Sequence, residues 1–343
     1  MKIIGISCFY HDSAACLLNN GEIISAVQEE RFTRVKHDSS FPTNSIKYIL
    51  NFSKISAMDV DHIIFYEKPF VKFERLLETT LANIPFGFKI FKRAIPIWLK
   101  EKLFQKKLIT EELLKIDSDF KNNKILFSDH HLSHAASSYY TSNFNEAMIL
   151  TVDGVGEKNT TTIVRGENNK LTKVEEINFP HSIGLLYSAF TYYLGFKVNS
   201  GEYKVMGLAP YGKPIYKDII LKHFIDLKED GSFKLNLKYF SFTKDLKMTN
   251  DEFNKVFEKK NRDPKDKIEE FHMNLASSIQ YVLEEILLKI CIYIKKKYKN
   301  KNFCIAGGVA LNCVANARIL KEKIFENIWV QPAAGDAGGA LGC

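Results

Sequence analysis

No stretch of this chain holds the roughly 18 consecutive apolar residues that a membrane-spanning helix needs, so a membrane span is not expected. No CxxC pair links any of the six cysteines, Cys8, Cys16, Cys291, Cys304, Cys313 and Cys343. Several lie inside apolar runs such as "NFCIAGG" and read as small core residues, which favours a reducing compartment over a disulfide scaffold. Neither the GxxxxGK(S/T) pattern nor the GxGxxG fingerprint occurs, so a bound nucleotide requires another kind of loop. A basic stripe is also missing. The net charge of +8 is spread over many lysines, which suits a solvated surface or attraction of anionic substrates such as nucleotides and acyl phosphates rather than nucleic acid. The opening "MKIIGISCFYHDSAACLL" is superficially like a secretory signal. His11 and Asp12 break its apolar run, however, and Gly5 with its alternating neighbours suits a buried strand and turn. The cytoplasm is the expected compartment.

With 343 residues, 45% of them apolar and 26% charged, the chain has ordinary globular composition and the length of two domains or lobes. A weak internal repeat supports two. "KIIGIS" followed by "AACLLNNGEIISAVQEE" predicts a strand and then a hairpin turning at Asn20-Gly21. "AMILTVDGVGE" followed by "TTTIVRGENNKLTKVEEI" predicts the same unit, turning near Asn168-Asn169. The implied lobes are residues 1–145 and 146–343. Within the first, a basic and aromatic stretch at about 70–115, including "FGFKIFKRAIPIWLKEKLFQKKL", reads as a helical insertion packing its aromatic face on the lobe or as a membrane-surface helix, broken at Pro85 and Pro96. Residues 231–260 read as a polar surface excursion. A long helix is predicted after Asp263-Pro264, with Ile268, Phe271, Leu275, Ile279, Val282, Ile286 and Ile290 on one face. The strands "NFCIAGG" and "NIWVQP", separated by a helix, imply a mostly parallel sheet in the second half.

The chemistry-bearing residues cluster in a few motifs. In "SDHHLSHAASSYY", Asp129 can cap a helix at about 130–140 that carries His130 and His134 one turn apart, the spacing for two imidazoles on one metal, with His131 pointing elsewhere. Asp153 in "TVDGVGE" and Asp336 in "AAGDAGGALG" are candidate further ligands. Each sits where a strand meets a glycine loop, and Gly154 and Gly156 would let backbone amides approach phosphate oxygens. Asp-Gly is equally an ordinary turn. "CIAGGVALNCVANARIL" runs a buried strand into Gly307-Gly308 and opens a helix near Asn312, which favours an anion or a polar ligand edge. "GEYKVMGLAPYGKP" reads as another glycine-punctuated loop, offering Lys204 to phosphate or simply to solvent. His11, at the end of the first strand, is either a general base for a hydroxyl nucleophile or a capping histidine.

Taken in order, "YHDSAACLL", "EERFTRVKHD", "DHHLSHAASSYY", "TVDGVGE", "GEYKVMGLAPYG", "GGVALN" and "GDAGGALG" resemble the O-carbamoyltransferase family, whose members modify antibiotics and nodulation factors. The resemblance runs from Tyr10 to Gly342. It implies an α/β fold duplicated on the plan of actin, the heat-shock ATPases and the sugar kinases (ASKHA), with two lobes around a nucleotide cleft. That fold is similar to the subunit that makes threonylcarbamoyl-adenosine in tRNA. In the family, carbamoyl phosphate and ATP give carbamoyl-adenylate, and the carbamoyl group then passes to a hydroxyl of a small-molecule or glycan acceptor with the help of a divalent metal, iron by resemblance. Carried over by motif, His130, His134 and Asp336 would be metal ligands, with Asp153 a fourth or phosphate-side ligand. Gly307, Gly308, Val309 and Asn312 would hold the adenosine, His11 would sit at the acceptor, and Lys36 would face the carbamoyl or acceptor side. Family members continue past "GDAGGALG" into a domain that forms the adenylate. Here the chain stops at Cys343, so that domain is expected to be absent or separately encoded, and Ala340 and Leu341 to be exposed. A non-catalytic nucleotide-binding fragment and a tRNA-modifying relative are the competing readings; scattered basic residues count against the second.

Overall fold

The computed structural model describes residues 1–84, 92, 104–122 and 124–343. Residues 85–91 and 93–103 of the basic insertion, Pro85 and Pro96 among them, lie outside the described residues. Strand β1 (Lys2–Ser7) pairs antiparallel with β2 (Ala14–Asn19), which pairs antiparallel with β3 (Glu22–Gln28) across the Asn20-Gly21 turn. On its other edge β1 takes β4 (His62–Phe65) and then β5 (Lys124–Phe127), both parallel, giving the order β3-β2-β1-β4-β5. The second half repeats this plan. Strands β6 (Glu146–Val152), β7 (Asn159–Glu167) and β8 (Lys170–Asn178) form an antiparallel triplet. After a small hairpin of β9 (Ile225–Leu227) and β10 (Phe233–Leu235), strands β11 (Asn302–Ala306) and β12 (Asn327–Val330) add parallel to β6. The order β8-β7-β6-β11-β12 is that of the first sheet strand for strand. Both sheets are therefore mixed, where a mostly parallel second sheet was expected. The short turns within each triplet force antiparallel pairing, and only the crossovers give parallel strands.

Eight helices matter for the site: α1 (Thr43–Ser53), α2 (Pro69–Ala82), α3 (His130–Tyr139), α4 (Ile183–Tyr193), α5 (Glu202–Leu208), α6 (Glu270–Tyr298), α7 (Cys313–Lys321) and α8 (Asp336–Gly342). Helix α6 buries Leu275, Ile279, Val282, Ile286 and Ile290 against the second sheet, as their spacing predicts, and carries Lys295, Lys296 and Lys297 in its last turn, where the helix dipole favours cations. Its start is later than predicted. Glu269 and His272 form a reciprocal cap, and Ile268 is exposed. The buried Arg262 guanidinium donates to the carbonyls of Leu194 (2.7 Å) and Asp266 (2.6 Å), which holds residues 263–268 as a turn instead of a first helical turn.

Three further expectations change. Residues 231–260 are not a polar excursion: Phe233, Tyr239, Phe240, Phe253 and Phe257 are buried with Phe190 and Phe224 in the second core. Their irregular spacing hides them from a periodicity test because each arrives from a different short element. The stretch after Gly201 is helical over Glu202–Leu208 rather than a loop. Ala340 is buried, because α8 packs on α3, β1 and β2, although Leu341 stays partly exposed. None of the six cysteines forms a disulfide, and Cys8, Cys16, Cys291 and Cys304 are buried in the cores. Among the described residues no helix is long and apolar enough to cross a membrane.

Candidate metal and nucleotide site

The candidate residues leave the carboxyl ends of strands in both sheets, the side of an open α/β sheet where ligands bind. His11 follows β1, Tyr66 and Glu67 follow β4, the histidine helix α3 follows β5, Asp153 follows β6, Gly307 and Gly308 follow β11, and Asp336 opens α8 after β12. Helix α3 starts where it does because the Asp129 carboxylate accepts the Leu132 N–H at 3.0 Å. A second carboxylate reinforces that start. Buried Glu157 accepts the His130 backbone N–H at 2.9 Å and the Lys68 N–H at 2.8 Å, tying α3 and α2 to the turn after β6. Gly156 completes the joint by close approach: a Cβ there would lie 2.8 Å from His131 Cδ2 and 3.0 Å from His130 Cδ2.

His130, His134, Asp153 and Asp336 converge, one ligand atom from each lying within 4.8 Å of all the others. Asp153 Oδ2 is 2.8 Å from His130 Nε2 and 3.3 Å from His134 Nε2, and the two Nε2 atoms are 3.1 Å apart. Asp336 Oδ1 stands 3.8 and 3.6 Å from the same two nitrogens. Ligands about 2.1 Å from a tetrahedral ion are separated by about 3.4 Å, so these spacings fit a four-ligand cation site. Two imidazoles and two carboxylates suit a divalent ion of the iron, zinc or manganese type. Both Nδ1 atoms are buried without a hydrogen-bond partner among the described residues, although Glu67 Oε2 comes within 3.8 Å of His130 Nδ1. His131 turns away: its Nδ1 meets Thr151 Oγ1 at 2.7 Å, and burial together with the neighbouring His130 holds it neutral.

Electrostatically the two buried carboxylates of the cluster require compensating positive charge. Burial opposes ionisation of Asp153 and Asp336, yet the adjoining histidines hold both carboxyls below the usual range. Burial likewise opposes charge on His130, and Asp153, Glu67 and Asp336 nevertheless raise it well above an ordinary histidine. Without a cation, protons on these imidazoles balance the carboxylates; a bound cation would replace them. His11 extends the cluster. Its Nε2 is 3.8 Å from Asp336 Oδ2, while Nδ1 meets Asp12 at 2.8 Å and Asp12 in turn meets His37 Nδ1 at 2.8 Å. Burial lowers the His11 pKa, but Asp336 and Asp12 together lift it to about 9. Phe9, Asp12 and His37 all adopt positive φ (71°, 53° and 57°), so the loop that presents His11 is strained.

A cavity of about 210 Å³ runs from this cluster past Gly154 and Gly308 to an apolar end at Met206, Leu283, Val309 and Leu311, with Asn312 beside it. Gly307 turns at φ 93°, and a Cβ there would come 2.3 Å from the Val152 carbonyl, so only glycine lets β11 enter this loop. Asn312 caps α7 through Ala315 N (2.9 Å) and exchanges hydrogen bonds with Gln280, which also accepts from Tyr187 Oη (3.0 Å). Thus His11, His130, Asp153, Gly154, Gly308, Val309, Asn312 and Asp336 face one cavity. His134, Gly156 and Gly307 stand behind its wall. Lys36 reaches only the rim, its Nζ 3.8 Å over the ring of Tyr203, and Lys204 is exposed against the rings of Phe196 and Tyr203, away from the cavity. Glu67, Lys72, Glu157 and His37 were missed, and Asp12 was placed beside His11 without a role. For Glu67 a signal existed: "YEKPF" puts its charge between a buried strand and a proline-started helix, an expensive place for it.

The model for the carbamoyltransferase N-terminus matches residues 2–343. The chain belongs to this carbamoyltransferase family. Among family relatives, an uncharacterized protein of Synechocystis (sll1178) is 54% identical over 99% of the chain and 56% of its own length. The nodulation protein NolNO of Sinorhizobium fredii is 33% identical over 97% of the chain and 46% of its own length. The chain thus spans about half of the curated relatives it matches. Component A of the (R)-2-hydroxyglutaryl-CoA dehydratase of Acidaminococcus fermentans superposes with a TM-score of 0.50 at 14% identity, covering 100% of this chain and 95% of that one. That likeness concerns the fold alone, and with the two matching sheets it gives this carbamoyltransferase-family chain the duplicated ASKHA-type architecture.

Proposed function

We propose that the chain performs the transfer half of a metal-assisted carbamoyl transfer, from carbamoyl-adenylate to a hydroxyl of a small-molecule or glycan acceptor. The observation that supports this reading is that the convergent His130, His134, Asp153 and Asp336 adjoin a cavity whose other end is glycine-lined and apolar. His130, His134, Asp153 and Asp336 would hold the divalent ion, iron by family resemblance. When bound, it supplies Lewis-acid polarisation and charge stabilisation at the carbamoyl-adenylate oxygens. Gly308, Val309 and Asn312 would seat the adenosine, with Gly154 at the phosphate. The acceptor oxygen forms its bond to the carbamoyl carbon as the bond from that carbon to the adenylate oxygen breaks, and AMP leaves. The acceptor's proton passes to His11. As an imidazolium with a pKa of about 9, His11 is not a base at neutral pH. A cation held by Asp336 would remove the largest contribution raising that pKa, and the neutral His11 imidazole would then accept the acceptor's proton. Lys36, on the rim beside Tyr203, is assigned to the acceptor side.

Carbamoyl phosphate and ATP are the assigned precursors, joined by a further domain in the same or a separate chain. The second reading is a nucleotide-binding module without transfer activity, since the glycine-lined apolar end of the cavity by itself accounts only for holding a nucleotide. Metal analysis tests the site. The protein should hold one divalent ion per chain, and the double variant His130→Ala with His134→Ala none; unchanged metal content in that variant would rule out the assignment.

A further inference from the structure

Helix α2 sends one charged side chain into the cavity. Lys72 is the only lysine or arginine among the described residues that line it, and its side chain is 12% exposed. Its Nζ donates to both oxygens of Glu67, at 2.8 and 3.1 Å, and stands 4.9 Å over the ring of Tyr10. Glu67 is itself buried, and its Oε2 comes within 3.8 Å of His130 Nδ1. The cavity wall it enters is otherwise rich in acid: Asp12, Asp153, Glu202 and Asp336 all contribute.

A buried ion pair is a weak source of stability, because desolvation offsets most of the attraction. Packing alone therefore gives no reason to keep a lysine here. Two of its three N–H donors serve Glu67, and among the described residues the third meets an aromatic face and the cavity. Its position is rigidly set relative to the cation site. The Lys68 N–H is held by Glu157, and Arg75, one turn beyond Lys72, donates to the Gly156 carbonyl at 2.6 Å. The same turn, residues 153–157, carries Asp153. An anionic group that reaches Gly154 from the apolar end of the cavity thus meets a fixed ammonium on the α2 side.

We propose that Lys72 is a phosphate-holding residue of this site, contacting an anionic phosphate oxygen of the carbamoyl donor or the leaving adenylate, with Glu67 as the residue that positions it. This rests on the nucleotide reading above. Its chemistry is that of a phosphate monoester or acyl phosphate, whether attached to a nucleoside or free.

The test compares AMP, adenosine and inorganic phosphate binding to the metal-loaded full chain by titration calorimetry. Lys72→Met alone strands the Glu67 charge and can unfold the protein, so the decisive variant is Glu67→Gln with Lys72→Met, set against Glu67→Gln alone. The double variant should bind AMP about ten- to a hundredfold more weakly than Glu67→Gln, the range for losing a charged hydrogen bond, while adenosine changes less than twofold. Loss confined to inorganic phosphate would also support the assignment and identify a free acyl phosphate as the ligand. Equal weakening of AMP and adenosine, or no change for either anion, would overturn it. A wild-type chain that binds neither AMP nor adenosine would overturn the nucleotide reading itself, and this proposal with it.

Discussion

Substituting Asp153 by Asn keeps the side chain's shape and the 2.7 Å bond from the Gly154 N–H to Oδ1, but removes the charge that both histidines face. In chelator-treated protein the wild-type carboxylate accepts two charged hydrogen bonds in a buried setting. Removing one partner from such a network costs about 3–5 kcal/mol. The pH dependence follows from the direction of each shift. The Asp153 pKa is depressed, so its contribution is present above the ordinary aspartate range and is lost as pH falls through the folded value. His130 is raised, so its contribution is full below about 6.5 and declines as pH rises through its folded pKa. The stability gap between wild type and Asp153→Asn is therefore widest near pH 5–6. Urea unfolding of the metal-free proteins at pH 5.5 and 9 measures it, and metal analysis should show that the variant retains less than one ion per chain. A variant with wild-type stability at both pH values and full metal content would refute the view of Asp153 as the hub of the cluster.

His11→Gln should leave metal content intact while abolishing transfer. In the metal-free protein its stability cost should reach roughly 3 kcal/mol below pH 6.5 and vanish as pH rises through about 9, as read by pH-dependent unfolding. Gly156→Ala should press a methyl group into the rings of His130 and His131 and cost about 1–3 kcal/mol, with metal occupancy falling more than helix content; elemental analysis and circular dichroism check it. Lys204→Ala should leave AMP affinity within about twofold by calorimetry, because this side chain is exposed away from the cavity; an exposed charge removed without a buried partner changes little.

The parts of this molecule that were legible in its sequence are those written in local signals. The strand triplets show as alternation around Asn20-Gly21 and Asn168-Asn169, and the histidine helix shows as Asp129 followed by imidazoles four apart. Legibility fails where a residue's role depends on a distant partner. Glu157 matters because it meets backbone 27 and 89 residues away, and Lys72 matters because α2 lands beside Asp153. No spacing rule reports such contacts. The start of α6 was misplaced because Asp263-Pro264 is a valid helix opening that the long-range bond from Arg262 to the Leu194 carbonyl overrides. Lys204 looked like a phosphate ligand because its neighbourhood is rich in glycine, but those residues form the short helix α5, which turns the side chain outward.

Carbamoyl transfer in this cavity can be assayed without the adenylate-forming step. Metal-loaded protein is mixed with synthetic carbamoyl-adenylate, labelled in the carbamoyl carbon, and a panel of hydroxyl acceptors. Labelled carbamate ester and AMP should form in equal amounts, and both should be lost in the His130→Ala, His134→Ala variant. Tight binding of the nucleotide with no labelled ester from any acceptor would contradict carbamoyl transfer and leave a binding module in its place.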